Sequence, residues 1–394
     1  MRNIIITGGE LFNKGAQAMT FVAVDELRRR FPEHRIYLLS ELDLQRPADE
    51  RRKYAFDFMG WYPIKFARCQ HNPLLRLLCK IRNGAELSEA EAIYRNADMM
   101  IDISGYALGS NWSAQNCHHY LDHLAFAKAF GIPVYLMPQS FGPFDFAGEE
   151  GERILGRIRE LLPSAKMIFA REQEGYDALR NTFGLDNVRL AGDLVLANKT
   201  VSLENVFASA PEISVPELAR RSVGVIPNAR NSDLGDESAI LAMYQQMIAK
   251  ALEQGNTVYL LSHSTHDKAL CGRIKALFAQ EERVVWLEQE FSCLEFNELV
   301  KRFRYLIASR FHSIVHAYKN GVPCIVLGWA TKYHELLNKF HQERYMFDVR
   351  QAWDIGHILG AMDSMESGCE KETKTILSAL EQMQKENVFD ILGR

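Results

Sequence analysis

The sequence predicts an α/β protein built from two facing, doubly wound (Rossmann-like) domains with a cleft between them. Three observations carry that prediction. Short apolar runs alternate with helix-length segments along 394 residues. A stretch without a strong period, 197–218, holding Pro211 and Pro216, interrupts the alternation near the middle. Polar residues with useful chemistry recur where the apolar runs end. Strand–helix alternation implies parallel sheets covered on both faces, and this length suits two domains better than one.

The first strand is expected over 3–7. Its apolar run is too short for a secretory signal and enters a Gly8-Gly9 turn. The stretch Gly8-Gly9-Glu-Leu-Phe-Asn13-Lys14-Gly15-Ala16 then opens a helix over Ala16–Arg30. It is neither a Walker loop nor Gly-x-Gly-x-x-Gly. It is either a plain glycine turn or a place where Asn13 and a helix N-terminus meet a ligand. A second strand is expected near 35–40, and a third, near 98–103, ends on Asp102. A carboxylate there caps the local backbone or meets a substrate hydroxyl. Asn111-Trp112 and His118-His119-x-x-Asp122-His123 follow, offering groups suited to a sugar, on a helix over Asn116–Phe130. His119 and His123 are too few to make a metal site.

The strand near 133–138 runs into Pro138-Gln139-Ser140-Phe141-Gly142-Pro143-Phe144. Pro and Gly fix that loop, and Gln139 can both donate and accept. After a helix over Gly151–Leu162, the strand at 167–170 ends on Arg171-Glu172, whose bland reading is a surface ion pair worth little. The strand near 188–191 ends on Asp193. The second half repeats the plan, with strands near 222–227, 257–262, 283–287, 305–308, 323–328 and 345–348 and a helix over Ser238–Glu253. His263, with Asp267 a turn later, reads more as pocket wall than as catalyst. Ser309-Arg310-Phe311-His312 closes the 305–308 strand, a helix follows over 313–320 with Gly321 as its stop, and Lys332 comes after the next strand. In open α/β sheets ligands bind outside the carboxyl ends of strands, often against a helix N-terminus. Two cations and an imidazole at adjacent strand ends therefore suggest a small, highly anionic substrate. Domains are expected over 1–205 and 219–365. Residues 366–394 form a terminal segment whose helix, Lys371–Glu386, packs back on the first domain.

Composition narrows the field further. A formal charge of −4 carries no polyanion-binding signature, so nucleic acid is not expected as a partner. The seven cysteines, at 69, 79, 117, 271, 293, 324 and 369, form no Cys-x-x-Cys pair, which points to a reducing, cytoplasmic compartment. No apolar run approaches the roughly 20 residues of a membrane span.

Together these segments resemble the polysaccharide pyruvyl transferase family, over about the first 340 residues. The likeness rests on Asn13-Lys14-Gly15-Ala16, Asp102, the Pro138–Phe144 loop, Ala170-Arg171-Glu172 and Asp193. It is strongest in Ser309-Arg310-Phe311-His312, Ala317, Gly321-Val322-Pro323 and Lys332. The resemblance implies a GT-B-type enzyme with its active site in the interdomain cleft. Such an enzyme transfers pyruvate from phosphoenolpyruvate onto two hydroxyls of a sugar as a cyclic ketal, in exopolysaccharide or related glycan synthesis. It further implies that Arg171, Arg310 and Lys332 bind phosphoenolpyruvate and that His312 is the acid or base. Asn13, Asp102, Gln139 and His263 would bind or align the acceptor, a glycan that is free or lipid-linked, with the enzyme soluble or peripheral to the inner membrane face. No cofactor and no metal are implied beyond the donor itself. The Gly-rich stretch usual after the first-domain Asp is thinned here to Asp102-Ile-Ser-Gly-Tyr-Ala-Leu-Gly109. The alternatives are a nucleotide-sugar glycosyltransferase on the same plan and a silent sugar-binding protein.

Overall fold

The computed structural model describes residues 2–61, 84, 88–231, 236–350 and 353–392. Cys69 and Cys79 lie outside them, and the five described cysteines are free thiols. The first sheet holds β1 (Asn3–Thr7), β2 (Arg35–Leu39), β3 (Asp57–Met59), β4 (Ala97–Asp102), β5 (Tyr106–Leu108), β6 (Val134–Phe141), β7 (Met167–Ala170) and β8 (Val188–Leu190). Its order is β3-β2-β1-β4-β6-β7-β8, with β5 beside β6. The second sheet holds β9 (Ser222–Ile226), β10 (Thr257–Leu261), β11 (Val284–Leu287), β12 (Tyr305–Ala308), β13 (Cys324–Gly328) and β14 (Met346–Asp348), in the order β11-β10-β9-β12-β13-β14. Neighbouring strands along both paths pair in parallel. Strands covered on both faces should be apolar throughout, and every residue of β1, β9 and β13 is buried. The strand order reverses between β1 and β4 and again between β9 and β12. Each reversal opens a crevice at the carboxyl ends of the strands, where doubly wound sheets take ligands.

The covering helices include α1 (Lys14–Arg30), α2 (Ala114–Ala129), α3 (Gly148–Leu161), α4 (Glu237–Glu253), α5 (Cys293–Val300), α6 (Phe311–Lys319), α7 (Thr331–Lys339) and α8 (Ile355–Met383). Several begin earlier than apolar periodicity indicates, because the cap precedes the first core residue. Asn13, Ser113 and Asp236 each accept a hydrogen bond from the backbone N–H two or three residues on. β3 and β5 have three residues each, too few to show a period of two.

Helix α8 differs most from expectation. It runs through residue 366, where the sequence reading places a domain boundary. Gly360 and Gly368 weaken a helix by about 1 kcal/mol each, which masks it in the sequence. Packing of the fully buried Ile358, Met362 and Met365 overrides that cost. Beyond its end, Gln384 Nε2 donates to the carbonyls of Leu196 (3.0 Å) and Asn198 (3.3 Å), and Asn387 Nδ2 to Glu26 Oε1 (3.0 Å). The terminal segment therefore leaves the second domain and lies on the first. Among the described residues no helix is long and apolar enough to cross a membrane.

The domains meet across one continuous apolar cluster. It joins Phe21 and Val22 of α1 and Leu194–Leu196 to Phe296, Phe311 and Val315 of the second domain and to Leu380 of α8. Polar ties fix the register. Lys14 Nζ donates to the His263 carbonyl (3.1 Å), the Cys293 N–H to Gln17 Oε1 (2.7 Å), and Lys339 Nζ to the Arg171 carbonyl (2.7 Å). Glu335 accepts from the N–H groups of Gln173 (2.7 Å) and Glu174 (3.3 Å).

Candidate active site

The carboxyl ends of the two sheets converge on Phe311 and His312, the first residues of α6. Arg310 is the N-cap of that helix but offers no side-chain cap; the Ser313 N–H is taken by the Arg310 carbonyl (2.9 Å) and the Phe311 N–H meets the Tyr333 hydroxyl. Helix α7, which carries Lys332, is likewise uncapped by a side chain. From the first domain, α1 presents Gly15 to the His312 ring. A Cβ at Gly15 would stand 2.3 Å from His312 Cγ and Nδ1, so only glycine allows this approach. Gly15→Ala should displace the imidazole and lower kcat/KM about 100-fold, the order reported for an ångström-scale misplacement. Steady-state kinetics beside a thermal melt would check that the loss exceeds any change in stability.

Arg171 is buried rather than a surface partner of Glu172. Its Nε donates to Glu172 Oε1 (2.9 Å), one terminal nitrogen to Asp193 Oδ2 (2.8 Å) and the other to Ser140 Oγ (2.7 Å). Ser140 Oγ in turn donates to Glu172 Oε1 (2.9 Å). The Arg171 guanidinium lies 4.4 Å from the Phe311 ring centroid. Its charge is thus already matched by two carboxylates, and it braces the site more than it offers a free cation. Asp193 stays below the ordinary carboxylate range although burial works against it, because Arg171 and His312 favour its charge. Asp193 also caps the short helix Leu194–Ala197.

Arg310 makes a bidentate pair with the buried Asp267, at 2.9 and 2.6 Å, and leaves one terminal nitrogen outside that pair. Lys332 differs from both arginines. Among the described residues it has no hydrogen bond or ion-pair partner, and its ammonium sits 5.3, 5.6 and 5.8 Å from the centroids of Phe311, Tyr106 and Tyr333. Burial pushes it down to about 8, with Arg171 adding to the push and Glu172 opposing it. His312 is partly exposed, but its Nε2 is buried without a partner among the described residues. Burial brings the imidazole down to about 4; Asp193 opposes the shift, while Arg171 and Lys332 reinforce it. At neutral pH the unliganded site therefore holds a neutral imidazole beside a free cation.

The other residues singled out in the sequence stand around this centre rather than in it. Asn13 caps α1 through Gly15 N–H (2.9 Å). Asp102 accepts from Thr7 Oγ1 (2.8 Å), Gln139 Nε2 (2.9 Å) and Ser104, while Tyr120 donates to Gln139 Oε1 (3.1 Å). This closed network ties the ends of β1, β4 and β6, and burial raises the Asp102 carboxyl. It reaches the centre through backbone, since Arg171 N–H donates to the Gln139 carbonyl (2.9 Å). His263 is buried beside the centre. Its ring packs against Phe296 and His316 behind His312, and its carbonyl receives Lys14. Burial, then Lys14 and His316, push its imidazole well down. His119 and His123 both meet the Trp61 ring edge-on. Sequence reasoning missed Ser140, Tyr106 and Arg230. Tyr106 is bonded through its hydroxyl to the Gly142 carbonyl (2.9 Å), and its ring lies 5.7 Å from that of Trp112.

A family model for polysaccharide pyruvyl transferase matches residues 13–331. The chain belongs to the polysaccharide pyruvyl transferase family. The matched span includes Arg171, Arg310 and His312 and ends one residue before Lys332. Comparison with curated proteins finds no match. Among solved structures, the pyruvyl transferase fold is similar to UDP-GlcNAc 2-epimerase from Neisseria meningitidis bound to UDP-GlcNAc, at TM-score 0.59 and 14% identity over 97% of this chain and 98% of that one. It is also similar to S. aureus MnaA with UDP (TM-score 0.58, 9% identity, 99% and 93% covered) and to Medicago truncatula UGT71G1 with UDP-glucose (TM-score 0.55, 10% identity, 97% and 94% covered). At such identity these likenesses concern the fold alone, which is the GT-B arrangement of two Rossmann-like domains.

Proposed function

We propose that this pyruvyl transferase moves pyruvate from phosphoenolpyruvate onto two hydroxyls of one sugar, forming a cyclic ketal and releasing phosphate. The observation that carries the reading is the Lys332 ammonium, without an anionic partner among the described residues, beside neutral His312. Phosphoenolpyruvate brings a carboxylate and a phosphate on three carbons, which suits that set. Lys332 and the spare Arg310 nitrogen bind the donor. Arg171 and Asp193 hold Phe311 and His312 in place.

Transfer begins with a proton passed from His312, made more basic by the bound donor, to the donor methylene, which becomes the methyl group and leaves C2 electron-poor and the imidazole neutral. A sugar hydroxyl adds to C2 and gives up its proton to the neutral His312 imidazole. The C2–O bond to phosphate then breaks, and a second hydroxyl closes the ketal. Of the two hydroxyl protons, one replaces that taken by the methyl group and the other leaves with phosphate. The donor's negative charge offsets Arg171 and Lys332, so His312 becomes more basic once the donor is bound and can serve as acid or base near neutrality. The acceptor lies over the Tyr106–Trp112 face, where the Trp112 Nε1 is buried without a partner among the described residues. It is a glycan or glycan precursor, free or lipid-linked, and the reaction belongs to the cytoplasm, where its donor is available.

Nucleotide-sugar transfer fits less well. Retaining GT-B enzymes tend to place an acid after the strand corresponding to β13, and here that loop reads Trp329-Ala-Thr-Lys332. The nearest acid, Glu335, is occupied by the N–H groups of Gln173 and Glu174.

The reading makes a pH prediction. Lys332 loses its charge as pH rises through about 8, so kcat/KM for phosphoenolpyruvate should fall above that pH. Lys332→Arg, which does not titrate there, should flatten the alkaline limb even if it lowers the plateau. An alkaline limb unchanged in the variant would remove Lys332 from the donor site.

A further inference from the structure

Two cations in the cleft lack an anionic partner among the described residues: Lys332 and Arg230. The second follows β9, the strand beside β12, so Arg230 and Arg310 stand on opposite sides of the second domain's switch point. Its loop is built from within. Asn228, 1% exposed, donates through Nδ2 to the Ser309 carbonyl (3.2 Å) and accepts from Arg230 N–H (3.1 Å). Asn231, fully buried, donates to Ser309 Oγ (3.0 Å). The Ala229 N–H donates to Asp267 Oδ1 (3.0 Å), the same carboxylate that holds Arg310. One buried acid thus fixes both arginine-bearing loops, consuming the charge of Arg310 and leaving Arg230 exposed and without an ion-pair partner among the described residues. The field of Arg230 reaches Lys332 and also Tyr106 and Tyr333, two of the three rings around its ammonium.

We propose that Arg230 is a specificity-determining residue of this cleft that binds phosphoryl oxygens in concert with Lys332. The inference deepens the phosphoenolpyruvate reading and rests on it for the identity of the donor. A guanidinium matches a phosphate edge with two parallel hydrogen bonds, whereas an ammonium gives a point contact. The pair would therefore hold and orient a phosphate ester that a carboxylate could not replace. The ester is either the donor's own phosphate or a phosphate on the acceptor's carrier.

The test uses the full chain, as wild type, Arg230→Ala and Arg230→Lys. Calorimetric titration with phosphoenolpyruvate and with inorganic phosphate is followed by kinetics on one glycan with and without a phosphate ester. Because Arg230 is exposed, melting curves should be unchanged. A donor-side contact predicts that Arg230→Ala weakens both ligands by about 10- to 100-fold, with Arg230→Lys between. An acceptor-side contact predicts unchanged phosphoenolpyruvate affinity but loss of the preference for the phosphorylated glycan. Affinities and preference all unchanged would overturn the inference, and phosphoenolpyruvate turnover by the same variant would leave the pyruvyl-transfer reading standing. Conversely, Arg230-dependent phosphate binding by a wild type that never consumes phosphoenolpyruvate would uphold the phosphate site and sink the donor assignment.

Discussion

His312→Ala is expected to lower kcat by about 100- to 10,000-fold, the range for loss of a positioned acid–base group, with little change in the affinity for phosphoenolpyruvate. The imidazole stands on Gly15 from one domain and at the start of α6 from the other, so it belongs to neither half alone. It makes no side-chain hydrogen bond among the described residues, so its removal leaves no buried partner unsatisfied there. The fold should therefore survive. His312→Gln keeps the size and a hydrogen-bonding group but cannot carry a proton near neutrality, so it should be nearly as slow. If the glutamine variant kept most of the activity, His312 would be a steric support and the proton route would lie elsewhere.

Arg171→Met should act on stability first. The guanidinium is 4% exposed and faces Glu172, Asp193 and Ser140 at once. Removing it strands two buried carboxylates, at a cost of about 3–5 kcal/mol. The sign of the pH dependence separates this from loss of packing. In the wild type the Asp193 carboxyl lies below its ordinary value, so its contribution is present above the unfolded carboxyl range, near 3.9. That contribution disappears as pH falls through the lower folded value. In the variant, burial without the cation raises the folded value instead, so the deficit is largest at neutral pH and shrinks on acidification. Denaturant unfolding of both proteins from neutral pH down toward the ordinary carboxylate range should show the gap narrowing toward the acid end. A gap constant with pH would mean that packing against Phe311, not charge, is what Arg171 supplies.

Much of this molecule is legible in its sequence because parallel strands are apolar runs and their ends are where the chemistry gathers. That rule finds Arg310, His312 and Lys332, each within a few residues of a buried strand. It does not show how neighbours in the same loops are engaged. At the end of β6 it favours Gln139 for its versatile amide, yet Gln139 is consumed by Asp102 and Tyr120, and the adjacent Ser140 hydroxyl meets Arg171. For Arg171 and Glu172 it offers a weak surface pair, since burial by the facing domain leaves no mark on local pattern. Arg230 escapes because Pro227-Asn228 separates it from β9, and only the fold shows that Asn228 turns the chain back toward Ser309. Ion-pair occupancy is likewise unreadable in one dimension: Arg310 and Lys332 look alike as strand-end cations, and Asp267 tells them apart.

The central claim is tested most directly by incubating the protein with phosphoenolpyruvate and a panel of glycans, assaying phosphate and resolving the products by mass and NMR. The account predicts acceptor-dependent phosphate release and a glycan carrying pyruvate as a cyclic ketal, both lost in His312→Ala. Failure to consume phosphoenolpyruvate with any glycan, together with turnover of a nucleotide sugar, would contradict it.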